Sequence, residues 1–133
     1  MNIASIRTGL LAGSVALGLL AGCASYETKN TAAPARMESG MLVGNSGMTL
    51  YTFDKDAANS GKSACNGPCA TNWPPLYASD SDRASGDWSI ITRDDGKKQW
   101  GYKGKPLYFW IKDQKPGDKT GDGVINAWHV AKE

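Results

Sequence analysis

Leu50-Tyr51-Thr52-Phe53-Asp54-Lys55-Asp56 and Leu107-Tyr108-Phe109-Trp110-Ile111-Lys112-Asp113 are one pattern written twice, 57 residues apart. The same offset lays Val43-Gly44 on Trp100-Gly101 and Gly47 on Gly104. Trp128 follows the second copy at nearly the spacing at which Trp73 follows the first. In an extended chain alternate side chains share a face, so Tyr51 pairs with Phe53, and Tyr108 with Trp110, on one side of their strands. Large aromatic rings placed in this way supply much of a small core. Two copies are too few for a solenoid, so the repeat predicts two related halves, each a hairpin, a loop and a returning tryptophan segment.

The surrounding sequence is β-like. Short alternating or aromatic runs near 41–44, 48–54, 87–93, 97–103, 106–111 and 124–131 read as six strands. They are cut by Asn45-Ser46-Gly47, Asp94-Asp95-Gly96 and Lys103-Gly104, and Asp95-Gly96 is a strong hairpin turn. Pro106 suits a first or edge position, where no ladder donor is needed. The expected fold class is all-β: a small antiparallel, sandwich-like domain over residues 41–133, without a long amphipathic helix.

The N-terminus has a different character. Arg7 precedes an apolar stretch from Thr8 to Leu20, and Leu20-Ala21-Gly22-Cys23 closes it with small residues before a cysteine. This is the layout of a secretory signal, and the stretch falls short of the roughly 20 apolar residues that span a bilayer. Residues 1–22 are therefore expected to be a lipoprotein signal peptide. Cys23 would then carry diacylglycerol on sulfur and a fatty acid such as palmitate on nitrogen, the multiple chains that stable anchoring needs. In bacterial lipoproteins as a class, a residue other than Asp after that cysteine goes with the outer membrane, and Ala24 fits. In a single-membrane host the same signal leads to the outer face of the plasma membrane.

Cleavage before Cys23 leaves 111 residues, one modest domain. Without Arg7 the charged side chains number 14 basic and 13 acidic, well mixed, with no electrostatic footprint for nucleic acid. Residues 23–40 follow the anchor; beyond Cys23 they are small, polar and without apolar period, and read as the lipidated cysteine and a flexible tether. Met37 and Met41 fit packing or solvent better than copper ligation.

The chain resembles the bacterial lipoprotein family with a repeated Tyr-x-(Phe/Trp/Tyr)-x-x-Asp motif, also described as a secreted repeat of unknown function. Tyr51, Phe53 and Asp56 match the motif once; Tyr108, Trp110 and Asp113 match it again. Cys65, Gly67 and Cys69 followed by Trp73-Pro74-Pro75-Leu76 are similar to the family, as are Arg93-Asp94-Asp95-Gly96, Gln99-Trp100 and Trp128-His129-Val130. The resemblance spans 41–131. It implies an exported, lipid-anchored class without an assigned biochemical activity.

With Cys23 consumed by lipid, Cys65 and Cys69 remain as a pair in an oxidising compartment, where a disulfide is the expected state. Closing so short a loop stabilises by about 2 kcal/mol on the chain-entropy model, so its effect is local. A cycling redox couple or a metal site are the alternatives, although the spacing is not the Cys-x-x-Cys of thioredoxin-like chemistry. His129 is the single histidine, beside Trp128, and no nucleophile elbow precedes it. The acidic, glycine-rich loop from Asp113 to Gly123 lacks the EF-hand ligand order, so its aspartates are expected to form turns.

The functional expectation is a noncatalytic envelope structural or binding component, with no enzyme class, metal or cofactor indicated. Expected partners are the membrane through Cys23 and an envelope protein or glycan, not nucleic acid. One alternative is a redox or electron-transfer accessory using a bound metal or cofactor or the Cys65-Cys69 pair. Another is an aromatic surface for a glycan or small ligand, with Trp73, Trp100, Trp128 and His129 as its candidate residues; core packing competes for each tryptophan.

Overall fold

The computed structural model describes residues 33–133. Cys23 and the signal segment lie outside the described residues. Eight short strands run in chain order: β1 Ala35–Glu38, β2 Met41–Gly44, β3 Tyr51–Phe53, β4 Tyr77–Ala78, β5 Trp88–Thr92, β6 Lys98–Tyr102, β7 Lys105–Pro106 and β8 Trp128–Val130. A five-residue helix, α1 (Pro68–Asn72), separates β3 from β4, and a 3-10 turn over Val124–Asn126 precedes β8. Every strand pair is antiparallel.

The two halves repeat a bonding scheme as well as a sequence. In the first, Leu42 N–H donates to Ala131 C=O, Leu50 N–H to Leu42 C=O, and Ala131 N–H to Leu50 C=O. In the second, Trp100 N–H donates to Leu76 C=O, Leu107 N–H to Trp100 C=O, and Leu76 N–H to Leu107 C=O. Each half borrows its returning strand from across the repeat boundary: β8 closes on β3, while the Leu76 segment closes on the second copy. The domain is therefore all-β, built from small antiparallel sheets in two related halves.

Four boundaries differ from the sequence reading. The fold begins at β1, so residues 35–40 belong to it and not to a tether: Ala35 to Glu38 pair with Met41 to Gly44. Ser39 and Gly40 turn that hairpin at positive φ, 51° and 80°, the left-handed pair that a two-residue turn requires. The expected strand 48–54 is regular only over Tyr51–Phe53. That expected at 106–111 is reduced to β7, after which the chain stays extended while changing partners: Tyr108 bonds Tyr51, Phe109 bonds Pro74 and Ile111 bonds Asn72. That expected at 124–131 starts as the 3-10 turn because Gly123, Ile125 and Asn126 all take positive φ.

Candidate functional site

The first residues of the two motifs meet face to face. Tyr51 and Tyr108 exchange backbone hydrogen bonds and lie fully buried. Beyond them four rings form a column in the order Phe53, Trp128, Trp73, Trp110, with successive centroids 4.1, 3.8 and 4.0 Å apart and tilts of 10°, 2° and 28°. Tyr51 sets its edge against Trp73 at 5.4 Å, and Tyr108 sets its edge against Trp128 at 5.1 Å. The repeat offset relates Phe53 to Trp110, so the column is symmetric about the Trp73–Trp128 contact. Stacked and edge-on pairs of this kind stabilise by about 0.5–1.5 kcal/mol each beyond their buried area.

The phenol groups then cross between the halves. Tyr51 Oη donates to Asp113 Oδ2 and Tyr108 Oη donates to Asp56 Oδ2, both at 2.6 Å. Each motif tyrosine is thus held by the aspartate that closes the other copy. Asp56 also accepts the Ala64 N–H, and Asp113 accepts the N–H and hydroxyl of Thr120. Each phenol oxygen has a further partner, Gly121 N–H for Tyr51 and Ser63 Oγ for Tyr108. Burial, reinforced by the neighbouring carboxylate, pushes both phenols well above the ordinary tyrosine pKa. Burial likewise raises Asp56 above the usual carboxylate value, although the Tyr108 and Ala64 hydrogen bonds oppose it.

A buried guanidinium breaks the symmetry. Arg93 donates to Ser63 Oγ at 3.0 Å, Gln99 Oε1 at 2.8 Å and Cys65 C=O at 2.8 Å, and its Nε faces Asp95. Gln99 passes the network on to Leu107 C=O. The offset relates Arg93 to Arg36, whose bonds to Asn45 C=O and Glu38 are exposed. Arg93, Gln99, Ser63 and Thr120 have no assigned role in the sequence reading. The Arg36–Arg93 correspondence was the available signal.

Cys65 and Cys69 form a disulfide with a Cα–Cα distance of 5.2 Å. Cys65 is buried against the aromatic column. Pro68 opens α1, where its missing N–H costs nothing, and Trp73 N–H donates to Cys69 C=O. The bridge therefore fixes the turn that delivers Trp73 to the stack.

The proposed ligand surface does not assemble. Trp73, Trp100 and Trp128 are 4%, 6% and 1% exposed, so their faces are spent on packing; Trp100 lies in a separate edge-on contact with Trp88. His129 points the other way on β8 and meets Asp54 at 2.8 Å, both half-exposed. Trp110 is the column member with an outer face, and it lines a groove of about 220 Å³ with Met48, Thr49, Phe109 and Asp113. In the Asp113–Gly123 loop, Asp118 accepts the Gln114 and Lys115 N–H groups, which makes it a turn residue, whereas Asp122 accepts the Val130 N–H and ties the loop to β8. Among the described residues, no three His, Cys, Asp or Glu side chains cluster with metal-binding geometry.

No curated protein matches the chain, and no solved structure does. A family model does, twice, over residues 36–77 and 89–132, and these are the two copies of the sequence repeat, each of which lends its returning segment to the bonding scheme of the other. The first match includes Arg36 in β1 and the second includes Arg93, so the family's repeat unit starts at the hairpin that carries the arginine. With more than half of its length matched in two copies, the chain belongs to the family of secreted repeats of unknown function.

Proposed function

We propose that this exported protein is a noncatalytic component of the cell envelope, held to a membrane by lipid on Cys23 and facing the periplasm from the outer membrane. The observation that carries the reading is the internal use of the motif's chemistry. Tyr51, Asp56, Tyr108 and Asp113 saturate one another and adjacent loops in the buried centre. The repeat motif thus acts as a clamp between halves, and recognition of an envelope partner falls to the surface. Export is what the family description carries. The anchor rests on Leu20-Ala21-Gly22-Cys23 and the outer-membrane destination on Ala24. The Trp110 groove, at about 220 Å³, is below the roughly 300–1,000 Å³ of ordinary ligand pockets.

Expression of the full chain in a double-membraned bacterium, with a clickable palmitate analogue and membrane fractionation, tests the reading. The expected result is labelled protein in the outer membrane, and neither label nor outer-membrane protein for Cys23→Ser, which keeps its uncleaved apolar segment. Cys23→Ser protein that still takes the label or still reaches the outer membrane would sink the anchor; labelled protein confined to the inner membrane would sink the destination.

A further inference from the structure

The four-ring column has one end at solvent and two tyrosine–carboxylate pairs along its sides. Trp110 faces the groove, whereas Trp73 and Trp128 are buried. Gly121 permits the Trp110–Trp73 contact, since a Cβ there would stand 2.8 Å from Trp73 and 3.0 Å from Trp110. Every step from Trp110 to either phenol is a contact between adjacent rings, the longest being 5.4 Å between centroids. Electron tunnelling falls steeply with distance, and this column has no gap.

We propose that the column is a relay for one-electron oxidation: a peroxyl-class radical takes an electron from Trp110, and the electron deficiency passes through Trp73 and Trp128 to Tyr51 or Tyr108. The step balances. The peroxyl radical gains one electron and becomes a hydroperoxide anion. The tyrosine loses one electron to the adjacent tryptophan, and its phenol proton crosses the 2.6 Å bond to Asp113 or Asp56. The products are a neutral tyrosyl radical and a protonated carboxyl group.

Charge directs the deficiency inward. Lys112 Nζ lies 5.7 Å from the centre of the Trp110 ring and disfavours a resting positive charge there. A tryptophan radical cation in the core would be an unpaired buried charge, which is costly. Oxidising a tyrosine–carboxylate pair instead removes a buried negative charge. The phenols are protonated at neutral pH, as an ordinary tyrosine is, and burial keeps them so at higher pH, so the proton leaves with the electron. Gly121 N–H and Ser63 Oγ remain in place to hydrogen-bond the phenoxyl oxygen. This inference stands independently of the lipid anchor.

The test uses photogenerated tris(bipyridyl)ruthenium(III), itself reduced to ruthenium(II), on the full chain with Tyr26, Tyr77 and Tyr102 replaced by phenylalanine. The expected result is the optical and electron paramagnetic resonance signature of a neutral tyrosyl radical, lost when Tyr51→Phe and Tyr108→Phe are combined. Should that combination not fold, the Tyr51 and Tyr108 protein answers alone: its radical yield is expected to stay flat from about pH 6 to about pH 9, because the proton acceptor is internal. Tryptophan radicals without a tyrosyl signal, or a yield that climbs with pH as for a solvent-exposed phenol, would overturn the proposal.

Discussion

Tyr51 and Tyr108 form a doubly hydrogen-bonded pair, N–H to C=O at 2.8 Å in one direction and 3.0 Å in the other. The pair lies where the two copies of the repeat cross, and the phenols diverge from it to opposite aspartates. Neither half completes its own motif, so the halves are expected to unfold together. A single cooperative transition, coincident by tryptophan fluorescence and far-ultraviolet circular dichroism, is the expected outcome in urea. Two separated transitions would contradict the crossed arrangement.

Tyr108→Phe should destabilise more than Tyr51→Phe. Without Tyr108, Asp56 keeps the Ala64 N–H as its remaining hydrogen bond, whereas Asp113 without Tyr51 retains both Thr120 donors. Stranding a buried polar group costs about 1–3 kcal/mol, more for a charged one, so a loss of about 3 kcal/mol is expected for Tyr108→Phe and about 2 kcal/mol for Tyr51→Phe. Urea midpoints at constant slope measure both, and the reverse order would contradict this accounting.

Asp56 gives a pH dependence of defined sign. Its folded pKa is raised by burial, so the folded state holds a proton more tightly than the unfolded chain. Stability from this group is present below the unfolded value of about 4 and is lost as pH rises through the folded pKa. The stability of the protein relative to Asp56→Asn is therefore expected to be greater at about pH 4 than at pH 7. Paired unfolding curves at the two pH values check this; a relative stability that increases toward neutrality would mean that the hydrogen bonds outweigh burial.

The offset between Leu50-Tyr51 and Leu107-Tyr108 revealed the two halves and their aromatic core because it is a periodic feature that burial imposes directly. Strand β1 was hidden because Ala35 alone of its residues is buried, and a polar edge strand carries no apolar alternation. The crossing of Tyr51 to Asp113 was equally invisible: the aspartates read as turn residues accepting backbone N–H groups, and register between copies is a tertiary property. Arg93 stood at the end of the expected strand 87–93 with nothing in the sequence to mark it as buried, and it becomes a core residue because Ser63, Cys65 and Gln99 present oxygens to it. The tryptophans drew attention as a surface because composition counts rings without showing which way they face.

Removing the disulfide with Cys65→Ser and Cys69→Ser is expected to lower stability by about 2 kcal/mol on the chain-entropy model. The damage should stay local, since the bridge closes a four-residue separation and the strands do not depend on it. Hydrogen exchange would then rise at Cys69 and Trp73 while the amides of β5 and β6 stay protected. Loss of protection throughout the domain would make the bridge a global requirement.

Gly121→Ala tests the column most directly, because the obstacle is steric and not conformational. The backbone of Gly121 has no positive φ among the glycines that do, so alanine introduces no backbone strain there. Its Cβ, however, would lie 2.8 Å from Trp73 and 3.0 Å from Trp110, forcing the two rings apart. Overpacking of this kind costs about 1–3 kcal/mol. The same shift would move the Gly121 N–H that donates to Tyr51. Two readouts should therefore change together: a lower urea midpoint and a weaker near-ultraviolet circular dichroism signal from the stacked tryptophans. By contrast, His129→Ala removes a half-exposed pair with Asp54 and is expected to alter stability by less than about 1 kcal/mol without touching the tryptophan signal. If Gly121→Ala left both signals intact, the Trp73–Trp110 contact would not be the close one described, and the continuity of the column would fail with it.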